Sequence, residues 1–321
     1  MTVSTMTASL DTFGANGYTL STQELLMYQS YAHLLDLKPK KQVRAQLSGG
    51  YLSKVKGRGM EFDEARHYQA GDDIRAIDWR VTARTGKTHT KVYREERERP
   101  VFVFCDFRSS MRFGTQWVLK SVQAAHLSSL IAWAGVKRGD KVGALLFDNH
   151  AHQEIKPKSR KRAVLSLTHG LVTMHDKPQQ TSTQDQLAVS FEQACMRLRR
   201  LAKPGSLVYL ISDFTALTDA AIQHIGELRR HCEVQAVHIS DPLEVALPTE
   251  TAAGTVTLFD GEQKQALNLS DKSVTKQYAQ QRADYNARLQ AVLSPNVAGV
   301  MRLSAGLPLT DQLIAMRGGK V

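Results

Sequence analysis

The sequence is poor in the features that would assign it quickly to a special class. No window approaches the roughly 18 consecutive apolar residues that a bilayer-spanning helix needs; the apolar runs, such as Val142 to Phe147, are strand-length. The reading expected from this is a chain that does not cross a membrane by itself. The first residues, Met1 to Tyr18, carry Thr, Ser, Gly and Asn but neither a basic start nor an apolar core, so a disordered leader is expected there and not a signal peptide. Cysteine is scarce: Cys105, Cys195 and Cys232 are the only three in 321 residues. They are far apart and show no CxxC spacing, which argues against a zinc ribbon or a disulfide framework and for buried thiols in a reducing cytoplasm. Enzyme signatures are missing as well. There is no HExxH, no GxSxG and no phosphate-binding GxxxxGK[ST], and the histidines, His150 and His152 included, are scattered.

What is present is an ordinary globular composition, 42% hydrophobic and 23% charged, with an excess of base that gives a net charge of +11. A basic balance favours acidic partners, whether protein, nucleic acid or anionic lipid, without choosing among them. The densest basic stretch is Lys38, Lys40, Lys41, Arg44, Lys54, Lys56 and Arg58, with no acid between; a second is Lys156, Lys158, Arg160, Lys161 and Arg162. Each reads either as a solvated cationic face or as a phosphate-binding patch.

Along the chain, Ser21 and Glu24 stand at capping-box spacing ahead of Leu25, Tyr28, Ala32 and Leu35, predicting a helix to about Leu37, before Pro39. From Gly59 to Arg99 the sequence is dense in Arg, Asp, Glu and Tyr, with β-prone pieces such as Thr88 to Tyr93, and a small strand-rich subdomain is expected. Pro100 opens Val101-Phe102-Val103-Phe104-Cys105, a run apolar at every position and therefore a strand buried on both faces. Alternation follows: a helix over about Thr115 to Lys137 stopped by Gly139, a strand at Lys141 to Phe147, an edge strand near Gln153 to Ile155, and helices at about Ser159 to Met174 and Gln184 to Ala202. Then come a strand at Ser206 to Ile211, a helix at about Asp219 to His231, a strand at Val234 to Ile239, a helix at Lys272 to Leu293 and a strand near Val297 to Leu303. Strands alternating with helices of this length predict an α/β fold: a doubly wound, mostly parallel sheet with helices on both faces. Asp260-Gly261, between Thr255 to Phe259 and Lys264 to Leu269, signals a hairpin. The expected divisions are a leader over 1–20, a helix and small subdomain over 21–99, the sheet domain over 100–305 with a hairpin insertion near 241–269, and a C-terminal segment over 306–321.

In such sheets ligands bind beyond the carboxyl ends of the strands. Two ends carry polar residues there: Asp106-Phe107-Arg108-Ser109-Ser110 and Ser212-Asp213. These residues resemble the von Willebrand factor A-like domains, which hold a divalent cation with D-x-S-x-S after the first strand, a Thr in a middle loop and a later Asp. The resemblance implies metal ligands at Asp106, Ser110 and Asp213, with Thr183 as the middle-loop candidate, although a helix cap is an equal reading of Thr183. Arg108 stands where the family has its first Ser. It supplies no oxygen, and its guanidinium could pair bidentately with Asp106 or Asp213 in place of Mg2+, or, if exposed, receive a partner's carboxylate; both a metal site and a metal-free one stay open. No organic cofactor is expected.

A second set of residues is Glu61-Phe62, Arg66, Tyr68, Gly71-Asp72-Asp73, Arg75, Ile77-Asp78-Trp79, Ala83-Arg84 and Glu95. This set is similar to the domain of unknown function 58 family, encoded beside MoxR-type AAA+ ATPases, over roughly Gly59 to Asp213 and more loosely to Asp241. The resemblance implies a non-enzymatic interaction module: an adaptor or assembly cofactor for such an ATPase, and for other von Willebrand factor A-domain proteins, docking through Arg108 and Ser109. By their chemistry, Arg66, Asp72, Asp73, Arg75, Asp78 and Arg84 would form an Arg–carboxylate network anchored by Trp79, or else a partner-recognition surface. The alternatives are a basic nucleic-acid-binding protein and a phosphoesterase using Asp72, Asp73 and Asp78 as metal ligands.

Overall fold

The computed structural model describes residues 10, 14–37, 60–69, 71–95, 99–178, 184–215, 217–247, 255–259, 264–268 and 272–318. The chain divides into two units, Met1–Val43 with Arg99–Val321, and Arg44–Glu98. The first helix, α1 (Thr22–Met27), opens with the Ser21/Glu24 capping box in place. It ends ten residues earlier than the periodicity predicts. Ser30 Oγ donates to the Met27 carbonyl and His33 takes the Ser30 carbonyl, so side chains and a short 3-10 turn at Ala32–Leu34 replace the helix. Its apolar residues are still used: Leu25, Tyr28, Ala32, Leu34 and Leu37 are buried in the core of the sheet unit, not in the small subdomain with which the sequence grouped them.

The smaller unit is built on β1 (Met60–His67) and β2 (His89–Glu95), an antiparallel pair that brackets a 3-10 turn and the helix α2 (Trp79–Thr85). Asp78 caps α2, and Gly86, at φ +72°, closes it in the left-handed conformation that glycine adopts without strain.

In the larger unit the strands β3 (Val101–Asp106), β4 (Val142–Phe147), β5 (His152–Lys158), β6 (Leu207–Ser212), β7 (Glu233–Ser240) and β10 (Gly299–Ser304) form one sheet in the order β10-β7-β6-β3-β4-β5. Only β5, at one edge, runs antiparallel. The remaining strands, β8 (Thr255–Phe259) and β9 (Lys264–Asn268), form a separate antiparallel pair where the hairpin is predicted.

Because successive strand residues point to opposite faces, β3 feeds two cores. Val101, Val103 and Cys105 join the core made with α1, α3 (Lys120–Arg138) and α4 (Lys161–His175). Phe102 and Phe104 join the core made with α5 (Gln184–Leu201) and α6 (Asp219–Arg229). After the short α7 (Pro242–Val245), α8 (Lys272–Leu293) adds Leu289 and Leu293 to that second core, and α9 (Leu309–Gly318) adds Leu309 and Leu313 to the first. The result is a mixed α/β unit, a six-stranded mostly parallel sheet with helices on both faces. The helix after β3 starts five residues later than predicted because Thr115 is held by Asp241, whose carboxylate accepts from its amide (2.9 Å) and its hydroxyl (2.5 Å).

Candidate functional site

From β3 the chain moves to β4 on one side and later to β6, β7 and β10 on the other, so strand order reverses between β3 and β6 and a crevice opens at their carboxyl ends. Cys105 pairs with Ile211 across that boundary, which sets Asp106 and Asp213 side by side as the sequence expects. The guanidinium of Arg108 lies on Asp106: Nε donates to both carboxylate oxygens at 3.0 Å and Nη2 to Oδ2 at 2.7 Å. Nη2 also stands 3.9 Å from Asp213, and Nη1 donates to the Thr215 carbonyl. The rings of Phe191 and Phe147 flank the guanidinium, with its carbon 4.8 and 5.9 Å from their centroids. Ser212 Oγ donates to Asp106 Oδ2 at 2.7 Å.

A second cation enters from the other side. Lys120, the first residue of α3, donates to Asp213 Oδ2 at 2.9 Å and to Glu244 Oε1, on α7, at 2.6 Å. Asp106, Arg108, Lys120 and Asp213 are all buried. Burial would raise the Asp213 carboxyl, but Lys120 and then Arg108, with the Thr215 amide, outweigh it and hold the carboxyl well below the usual range. Burial likewise pulls against the charge on Arg108 and Lys120, and the neighbouring carboxylates overcome it, so both are held more firmly protonated than in water.

This arrangement decides how a divalent cation would fare. Mg2+ needs carboxylate oxygens at about 2.1 Å in a near-octahedral set. Here both oxygens of Asp106 and Oδ2 of Asp213 are already in contact with fixed positive charge, and a dication would lie within hydrogen-bond distance of a guanidinium and an ammonium. Ser110 Oγ is buried without a partner, but the expected ligands Asp106 and Asp213 do not converge on it with a third acidic, His or Cys ligand among the described residues. The residues present do not fit the metal. Thr183 lies outside the described residues.

Arg108 is also corrected in one respect. It is 0% exposed, so it cannot receive a carboxylate from outside. Ser109 instead ties loops together: its amide donates to Asn149 Oδ1 at 3.0 Å, and Asn149 Nδ2 donates to its hydroxyl at 3.2 Å.

In the smaller unit, of the expected Arg–carboxylate network only the Arg66–Asp72 pair (2.7 Å) forms among the described residues. The Gln69 amide, and then Arg66, hold the Asp72 carboxyl below its ordinary value. Asp73 accepts from the Arg75 amide and Asp78 from the Arg80 and Val81 amides, so both carboxylates act as caps. Trp79 is not an apolar anchor: it is 67% exposed, and Arg75 and Arg84 are exposed as well.

Lys120, Glu244, Thr115 and Asp241 are the site residues that sequence reasoning missed. No local signal marks Lys120: the sequence pattern starts this helix near Thr115 and sets the lysine inside it, and its partners Asp213 and Glu244 are 93 and 124 positions away.

Comparison with known proteins places these residues in a lineage. The uncharacterized proteins Rv1480 of Mycobacterium tuberculosis and Mb1516 of Mycobacterium bovis are each 31% identical over 232 residues, covering 71% of this chain and 69% of theirs. Among solved structures, a conserved hypothetical protein BatB from Bacteroides thetaiotaomicron covers 68% of this chain and 99% of its own, with 14% identity and a TM-score of 0.39. An aerotolerance-related membrane protein from Bacteroides fragilis, carrying multiple mutations to serine, covers 68% and 97%, with 15% identity and a TM-score of 0.41. With the family model for the protein of unknown function DUF58 matching residues 64–288, a span that holds both the capped Asp-rich turn and the paired strand ends, the chain belongs to that family.

Proposed function

We propose that this protein is a non-enzymatic, cytoplasmic interaction module of von Willebrand factor A-like architecture that docks partners at the carboxyl end of its sheet without a metal ion. The observation that carries this reading is the pair of built-in cations, Arg108 and Lys120, on Asp106 and Asp213. They neutralise the two carboxylates internally and fix the loops after β3, β6 and β7 in one arrangement. Docking then falls to the rim above them, where Phe113 and His150 are exposed and Ser109 and Thr215 half-buried. A MoxR-type AAA+ ATPase is the proposed partner and an adaptor role the proposed task, on the strength of the family resemblance.

Two measurements test it together. Calorimetric titration with Mg2+ and Mn2+ is expected to give no heat of binding, and association with the ATPase, followed by co-purification, is expected to survive EDTA but to weaken at least tenfold in Phe113→Asp. Tight metal binding abolished by Asp106→Ala would sink the metal-free reading; association untouched by Phe113→Asp would remove the rim as the contact.

A second reading has one observation in its favour: Lys158, Arg160, Lys161 and Arg162 line a surface hollow of about 980 Å3. Nucleic acid bound there would show affinity falling steeply with salt.

A further inference from the structure

The small unit carries a surface that the docking rim does not account for. Trp79, Arg80, Ala83 and Arg84 fall on one side of α2 by helical spacing, and all four are exposed, while Val81 and Thr82 on the other side are half-buried. Ile74, in the turn just before, is 67% exposed, as is Trp79. Among the described residues of the unit these are the large hydrophobic side chains left exposed, and a Trp so exposed adds little to the core.

The charges around them are not balanced locally. Asp72 is taken by Arg66 and the Gln69 amide, and Asp73 and Asp78 are taken by backbone amides. Asp72, Asp73 and Asp78 thus accept hydrogen bonds within their own turns, while the guanidinium groups of Arg75, Arg80 and Arg84 have neither ion-pair nor hydrogen-bond partners among the described residues. An apolar centre ringed by uncommitted arginines is the composition of a binding hot spot, since Trp and Arg are the residues that carry most interface energy.

We infer that the exposed side of α2, with Ile74 and Arg75, is a recognition surface for an acidic protein segment that carries apolar side chains. The chemistry selects this occupant. Arginine forks match carboxylates bidentately, and Ile74 and Ala83 offer aliphatic contact that suits a peptide side chain. A nucleic-acid backbone is poorly served by so few cations on one short helix, because polyanion binding rests on many phosphate contacts. This surface is built from other residues than the carboxyl-end crevice, so its test stands or falls independently of the metal-free docking proposed above.

Trp79 makes the test direct, because Trp117 and Trp133 are buried and only Trp79 is open to solvent. The probe is a tryptophan-free synthetic peptide of repeating Glu-Glu-Leu, with a Lys-Lys-Leu peptide and a single-stranded oligothymidine as comparisons. Binding of the acidic peptide to the full-length protein is expected to shield the exposed tryptophan, lowering its acrylamide quenching constant about twofold. Labelled-peptide anisotropy is expected to show affinity reduced about tenfold or more in Trp79→Ala and in the Arg80→Glu/Arg84→Glu double variant. Both sets of changes are at exposed positions, and unchanged circular dichroism confirms that the variants are folded. Arg75→Glu, in a different turn, is expected to weaken binding in the same direction. The inference is overturned if the acidic peptide does not bind at millimolar concentration, if the variants bind it as well as the parent, if the Lys-Lys-Leu peptide binds equally, or if the oligothymidine binds more tightly and competes for Trp79.

Discussion

Removing the ammonium of Lys120 leaves the buried Asp213 with only Arg108, 3.9 Å away, as a cation, and takes one partner from the half-buried Glu244, whose Oε2 still accepts from the Asp241 amide. Stranding a buried charge in this way costs about 3–5 kcal/mol, whereas removing both partners of a pair costs much less. Lys120→Met is therefore expected to lower the urea midpoint strongly and Lys120→Met/Asp213→Asn to recover part of the loss; a double variant no better than the single would refute the pairing. His238 gives the molecule a pH dependence. Burial pushes its imidazole down from 6.5 to about 4. The unfolded chain takes up this proton near 6.5 and the folded chain does not until about 4, so stability falls as pH drops across that window, by roughly 3 kcal/mol at its foot. His238→Gln is expected to flatten the slope of stability between those two values, and an unchanged slope would assign it to other groups. Of these residues, Asp106 and Asp213 were legible as polar groups at strand ends, and Arg108 as a cation able to pair with Asp106. Lys120 was not, because its partners lie 93 and 124 positions away and nothing local announces them.

At the scale of elements, helices stop where side chains or glycine make stopping cheap, and strands stay together where small residues let them approach. Gly139, at φ +93°, ends α3 as the sequence predicts. Gly143 of β4 has a different task. A Cβ there would stand 2.8 Å from the Ile155 carbonyl and 3.0 Å from Pro157, at the irregularity where β5 shifts register. Gly143→Ala must push the edge strand outward, at a cost of about 1–3 kcal/mol. Amide exchange in Glu154 and Ile155 is expected to quicken in that variant while β3 and β6 stay protected; uniform protection would show that β5 yields without loss. Period-two and period-3.6 patterning marked these elements because it is set by neighbours a few residues away. The ends of α1 and α3 escaped it, since Ser30 and the distant Asp241 decide them.

For the whole molecule, the N-terminal helix is a structural member of the sheet unit. Leu25 is fully buried in the core beside α3, Ser129 Oγ donates to its carbonyl, and Glu24 pairs with His126. Leu25→Ala is expected to cost about 2–5 kcal/mol in the unfolding of that unit, measured by denaturant titration, as for any large-to-small core change; a loss no larger than that of a surface substitution would place the helix outside the core. By itself the sequence determined the α/β class, the order of most strands and helices, the capping box and the two polar strand ends, because burial pattern and capping act over a few residues. Only the tertiary structure decided that α1 packs on the sheet, that Arg108 is enclosed on Asp106 with Lys120 brought to the same Asp213, and that Trp79 faces outward. Each of those outcomes depends on which distant groups meet and which surface is left uncovered, and free energies of that kind are settled when the layers assemble.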